Sequence, residues 1–154
     1  MAELRRLLID QSRLAKTQES DDLINLNGKE HHYLRRVLRL RDGDLIDVVD
    51  GQGHLWKAQV NGGNSINLMS SFDKPSIERS ISKTLICLAI ALPKKGFEDV
   101  LRMSCEIGVD IFQPLISEHR VSRGDGNEKI LRWNSILSES VEQSERLWKP
   151  ELRK

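Results

Sequence analysis

The sequence has little to staple it and nothing to anchor it. Two cysteines, Cys87 and Cys105, cannot build a disulfide framework, and "MAELRRLLIDQSR" at the start lacks an export signal, so a reducing cytoplasm is the expected compartment. Long apolar runs are missing as well. The longest, Leu85 to Leu92, has eight residues, too few to cross a bilayer, and reads as a buried strand, so no membrane partner is expected. Charge of one sign is absent, because 24 basic and 23 acidic residues leave a formal net charge of +1 and bulk charge names no partner. GxxxxGK[ST], GxGxxG and GxSxG patterns do not occur, which removes the P-loop, dinucleotide-binding and serine-esterase signatures. His31, His32, His54 and His119 show no metal-ligand spacing, and Cys105 sits among Val100, Leu101 and Ser104 as a small buried residue rather than a nucleophile. No metal is expected.

What is present is the balance of a folded protein, with 38% hydrophobic and 31% charged residues. A chain of 154 residues buries roughly 70% of its unfolded surface, enough for a core of its own. It divides into halves with different patterns. Up to residue 72, alternating segments such as "LWKAQV" and "SINLMS" are separated by turn signals at Asp42-Gly43, Asp50-Gly51-Gln52-Gly53 and Asn61-Gly62-Gly63-Asn64. Period two with glycine-rich turns predicts hairpins closing into a small barrel. One amphipathic helix, residues 29–39 with Leu34, Val37 and Leu38 inward, precedes the strands.

Residues 73–82 are polar, contain Lys74-Pro75 and read as a linker. From 83 to 154 the pattern is β-α-β-α: strand "TLICLAIAL", a helix from Lys95 to Ile107, strand "DIFQPLI", the loop "SRGDG", and a helix from Glu128 to Leu147 started by an Asp125/Glu128 capping box. A strand apolar on both faces belongs in a parallel sheet covered by helices. Two strands cannot complete such a sheet, and "KPELRK" reads as the opening of a third. The expectation is a chain cut through its own sheet, or one whose missing layers a partner supplies.

Positive charge concentrates in "HHYLRRVLRLRDGD", residues 31–44, with four arginines. At helical spacing, His32, Arg35, Arg36 and Arg39 share a face opposite Leu34, Val37 and Leu38, and Arg5, Arg6 and Arg41 extend the candidate patch. Guanidinium presents a permanently charged fork suited to phosphate. If Arg35, Arg36, Arg39 and Arg41 each neutralise one phosphate, the log-log salt slope for single-stranded nucleic acid is about −3. The competing interpretation is a solvated face balanced by Glu30, Asp42 and Asp44. On the last helix, Ile130, Trp133, Leu137 and Val141 form the core stripe, and Glu139, Glu142, Gln143 and Arg146 line another face. That second face serves either as a Glu142–Arg146 surface pair or as a polar wall that holds a base.

Three blocks, "HHYLRRVLRLRDGDLIDVVDGQGHLWKAQV", "LPKKGFEDVLRMSCEIGVDIFQPLISEHRV" and "RWNSILSESVEQSERLWKPEL", resemble the ribosomal small subunit methyltransferase E family in order and spacing. The matching positions are Val37, Leu38, Arg39, Gly43, Asp44, Asp50 and Gly51, then Glu106, Gly108, Val109, Asp110, Pro114, Ser117, Glu118 and Arg120, then Arg132, Trp133, Glu139, Glu142, Gln143, Ser144, Arg146 and Pro150. Ile107 stands where leucine is usual, and His119 interrupts the last triplet of the second block. The resemblance implies a two-domain α+β protein: a PUA-like RNA-binding β-barrel over 1–72, and the first part of an α/β SPOUT (knotted) methyltransferase domain over 83–154. It implies methylation of uridine N3 in 16S ribosomal RNA with S-adenosyl-L-methionine, a homodimer for the complete enzyme, and Glu142, Gln143 and Arg146 as catalytic candidates. The family's glycine-rich knot segments are not matched here, so no cofactor-binding residue is expected in this chain, and these 154 residues alone are expected to be inactive. The alternative is a non-catalytic RNA-binding module whose α/β half only scaffolds.

Overall fold

A computed structural model describes residues 5–19, 22–62, 64–115 and 126–153, in two compact units, Met1–Ile81 and Ser82–Lys154. In the first, strands β1 (Arg6–Leu8), β2 (Leu23–Asn25), β3 (Leu45–Val49), β4 (His54–Asn61) and β5 (Ser65–Leu68) lie in the order β1-β3-β4-β5-β2, and β6 (Ile77–Glu78) pairs with β4. β1 runs parallel to β3, and the other pairings are antiparallel. Pairing sets Val48 opposite Trp56, Ile46 opposite Ala58 and Val60 opposite Ile66, so the alternation in the sequence becomes one buried face. Leu7, Ile9, Leu14 and Leu34 complete that core.

The helical segment before β3 starts where Asn27 and Glu30 form a reciprocal capping box, giving α2 (Gly28–His32) after the single turn of α1 (Gln11–Ala15). Its continuation, Tyr33–Val37, is a π turn in which the Leu38 N–H reaches the Tyr33 carbonyl. The wider turn breaks the expected three-and-four spacing. Leu34 is fully buried and Leu38 half-buried, but Val37, expected inward, is 59% exposed. Strands β1 and β2 precede this helix, contrary to the expected order, and the expected linker contributes β6, because the first unit extends to residue 81.

In the second unit, β7 (Cys87–Ala91), β8 (Ile111–Leu115) and β9 (Glu151–Leu152) form a parallel sheet in sequence order, with α3 (Phe97–Glu106) and α4 (Asn127–Gln143) as crossovers. "KPELRK" thus supplies the third strand that its sequence suggested. Both crossovers step the same way across the sheet, and right-handed connections then lay both helices on one face. Phe97 meets Trp133 edge-on at 4.6 Å, above Leu101, Cys105, Phe112, Leu137 and Val141. Cys87, Ala89 and Ala91 stay exposed on the other face, so β7 is covered on one side and not on the expected two. Both helices are shorter than their sequence pattern: α3 starts after Gly96, and α4 ends at Gln143 instead of Leu147. Asp125 of the proposed capping box, and Ser117, Glu118, His119 and Arg120 of the family pattern, lie outside the described residues.

Candidate functional site

The basic segment separates into arginines held by the protein and arginines facing out. Arg35 donates to the carbonyls of Leu40 and Asn61, at 3.1 and 3.3 Å, and to the Asp42 carboxylate, which makes it a strut between the π turn and the end of β4. Arg5 lies 3.9 Å from Asp44. Arg6 is 6% exposed on β1, so it does not extend an exposed patch as expected. Arg36, Arg39 and Arg41 are exposed, and their guanidinium groups make no ion pair among the described residues. His32 is exposed beside them at the end of α2.

Local backbone explains the outward display. Arg39 has φ +54, the left-handed region that ends helical turns, and the next residue, Leu40, drops into the core. Asp44 then accepts the Arg41 N–H at 2.7 Å, closing the turn through Gly43 at φ +91. Of the acidic residues suspected of neutralising the patch, Asp42 does pair with one of its arginines, Arg35, and Asp44 lies near Arg5, whereas Glu30 is occupied by Arg13 at 2.5 Å and by the Asn27 N–H at 2.8 Å. Bonding to Glu30 in turn raises the Arg13 guanidinium above its ordinary range.

In the second unit the polar face expected at Glu139, Glu142, Gln143 and Arg146 is not continuous. α4 ends at Gln143, Ser144 caps it, and Glu145 at φ +59 turns the chain away, so Arg146 leaves the helical register. Its guanidinium donates to the carbonyls of Cys105 and Val109 at 2.9 and 2.7 Å and to the Asp110 carboxylate at 2.7 Å. Asp110 also accepts the Ile86 N–H at 3.0 Å, so one arginine and one aspartate tie together the end of α3 and the starts of β7 and β8. Arg146 pairs with Asp110, not Glu142, among the described residues. Gln143 and Glu139 are exposed and Glu142 is half-buried. Cys105 lies buried beneath this clamp, and loss of hydration pushes its thiol pKa up, as suits a packing residue.

One group escaped the sequence reading. His54 was set aside with the other histidines, yet Asp50, four residues earlier, places its buried carboxylate 2.6 Å from His54 Nδ1. The Asp-Gly-x-Gly-His order, with an acceptor before a forced turn, is the signal that marks it.

The chain therefore combines a strand-rich unit that displays arginines outward with a parallel α/β unit. Residues 26–68 match the RNA methyltransferase PUA domain and residues 80–154 match the RNA methyltransferase domain. The chain is 39% identical over 140 residues to ribosomal RNA small subunit methyltransferase E of Synechocystis, covering 89% of this chain and 45% of the relative. Its fold is similar to that of the same enzyme from Neisseria gonorrhoeae bound to S-adenosyl methionine, with TM-score 0.76 and 22% identity, covering 98% of this chain and 61% of that one. A probable rRNA-methyltransferase from Porphyromonas gingivalis is also similar, with TM-score 0.68 and 26% identity, covering 97% and 59%. The chain is thus similar to ribosomal small subunit methyltransferase E proteins along most of its own length, and it spans about half the length of the curated relatives it matches.

Proposed function

We propose that the first unit is a PUA-like barrel that grips ribosomal RNA through Arg36, Arg39, Arg41 and His32, and that the second forms part of a domain methylating uridine N3 of 16S ribosomal RNA. The observation that carries this reading is the outward display of Arg36, Arg39 and Arg41, without an ion pair among the described residues, while Asp42 is bound by Arg35 and Glu30 by Arg13. Three phosphate contacts, one fewer than the sequence suggested because Arg35 is a strut, correspond to a log-log salt slope of about −2 on single-stranded RNA. Such contacts position the strand without reading it.

Uracil N3 becomes a nucleophile only as its imide proton leaves, so the reaction needs a nearby proton acceptor and donors toward the carbonyl oxygens. Half-buried Glu142 and exposed Gln143, at the end of α4, are assigned to holding the base, and Arg146 to positioning the turn that follows them. S-adenosyl-L-methionine, when bound, supplies an electrophilic methyl group. No cofactor-binding residue is assigned among the described residues, which are proposed to contribute RNA binding.

The test is binding of a 16S ribosomal RNA fragment between 50 and 200 mM salt, with the triple variant R36Q/R39Q/R41Q beside the parent. A slope near −2 that collapses in the variant is expected. A slope near zero in the parent removes the reading. The non-catalytic alternative is favoured by the internal commitment of the Arg146 guanidinium. In the complete enzyme, wild-type methylation by E142Q and Q143A would establish that alternative for this helix.

A further inference from the structure

Two Asn-Gly steps occur in the sequence, Asn27-Gly28 and Asn61-Gly62, and both are exposed. In such a step the glycine nitrogen, unshielded by a side chain, is the nucleophile nearest the asparagine carboxamide. What surrounds each step then decides whether it reacts. At Asn27 the side-chain oxygen accepts the Lys29 and Glu30 N–H groups, both at 3.0 Å, and the carbonyl accepts the His31 N–H at 2.9 Å. Carboxamide and peptide are both tied into the start of α2, and reaction there would dismantle the helix cap.

At Asn61 the surroundings favour reaction. The Gly62 N–H donates to Asn61 Oδ1 at 2.8 Å, which holds the attacking nitrogen against the carboxamide it must reach. Arg35 donates at 3.3 Å to the Asn61 carbonyl, the oxygen of the same peptide group whose nitrogen belongs to Gly62. When that nitrogen loses its proton, negative charge spreads onto the carbonyl oxygen, and a guanidinium hydrogen-bonded there stabilises it. Arg35 is kept in place by the Leu40 carbonyl at 3.1 Å and by the Asp42 carboxylate.

We propose that Asn61-Gly62 is a self-modification site, promoted by Arg35, whose conversion turns down the RNA grip. The Gly62 nitrogen gives its proton to solvent base and attacks Asn61 Cγ. A Cγ–N bond forms, the Cγ–Nδ2 bond breaks, and the amide nitrogen leaves with a proton as ammonia, closing a five-membered succinimide. Water then opens the ring at either carbonyl to give aspartate or isoaspartate, so the balance is one water in and one ammonia out. Either product adds one negative charge and takes the formal net charge from +1 to 0. In isoaspartate the freed carboxylate is the former Asn61 carbonyl group, which Arg35 already contacts, and the main chain gains one methylene group beside Val60. The Val60 carbonyl holds the Gly43 N–H at 2.8 Å, and Gly43 closes the turn that follows Arg39 and Arg41, so new charge and loosened geometry both act against phosphate. This loss of grip rests on the proposed RNA binding of the first unit, whereas the covalent chemistry does not.

The full chain is aged at mildly alkaline pH, assayed for released ammonia and isoaspartate, and mapped by peptide mass spectrometry at residues 27 and 61. Conversion at Asn61 should outpace that at Asn27 by about tenfold or more, and the two rates should converge in urea, where the fold no longer distinguishes them. Arg35→Gln should slow Asn61 by about threefold or more. Gly62→Ala isolates the nucleophile, because a Cβ there meets only Asp42 Oδ2, at an ordinary 3.7 Å, and this variant should stay unmodified and bind RNA as the fresh parent does. The converted parent and Asn61→Asp should bind the 16S ribosomal RNA fragment about threefold more weakly than the fresh parent. Equal rates at the two steps in the folded chain, a difference that persists in urea, an unslowed R35Q or a modified G62A overturns the chemistry. Unchanged affinity after conversion overturns the loss of grip. A fresh parent without a salt slope removes the RNA reading and the regulation with it, while the mass measurements still decide the modification.

Discussion

Arg146 serves three acceptors at once, two carbonyls and the Asp110 carboxylate, from a side chain that is 14% exposed. Removing it leaves those groups partly buried without their donor. Arg146→Ala is expected to cost the second unit roughly 2 to 4 kcal/mol. Arg146→Lys should be intermediate, because one ammonium cannot match the fork. Urea unfolding followed through Trp133 checks both, and an alanine variant as stable as the parent would disprove the strut. Cys105, under the same clamp, yields a pH prediction. Burial raises its folded pKa above the unfolded value, so the folded state holds the proton more tightly. That contribution is complete below about pH 8.5 and is lost as pH rises toward the folded value. The urea midpoint should therefore fall between pH 8 and 10, with a shallower fall in Cys105→Ala. In the native protein a thiol reagent should modify exposed Cys87 and spare Cys105 until unfolding.

The helical segment from Gly28 to Val37 shows how much a pattern reveals and where it stops. Its start, one residue before the expected position 29, is set by the capping box of Asn27 and Glu30, and Asn27→Ala should cost the first unit about 1 kcal/mol in denaturant unfolding. A larger loss is expected for Glu30→Ala, since Glu30 also holds Arg13 of α1. Its end was not legible, because a π turn follows from tertiary demand on Leu34 and Leu40 and leaves no spacing signature. For that reason Val37 was expected inward, and Arg35 was expected among the phosphate ligands. Strands β4 and β5 could be anticipated from alternation at Trp56, Ala58 and Val60 and at Ile66 and Leu68. Three-residue β1 and β2 could not, since they exist only through pairing with β3 and β5. The Arg146 clamp was hidden for a related reason: its partners lie 36 to 41 residues away, beyond any local period.

Across the molecule, 24 basic and 23 acidic residues nearly cancel, so any attraction to a polyanion must come from where charges sit and not from how many there are. The alternating first half and the β-α-β-α second half were visible because they follow two different hydrophobic periods, whereas the one-sided cover of β7 depends on crossover direction, which no residue spells out. Local placement and bulk charge are separable by experiment. R36Q/R39Q/R41Q takes the formal net charge from +1 to −2, since three positive charges are removed. Lys74, Lys83 and Lys129, all exposed and distributed along the chain, give a control with the same arithmetic when replaced by glutamine. If the turn after α2 is the RNA grip, the arginine set loses most of the affinity and nearly all of the salt slope, while the lysine set, which removes the same charge without touching that turn, changes both only slightly. Equal losses in the two sets would mean that RNA responds only to the overall field, and the arginines would then be the solvated face that their spacing also permits.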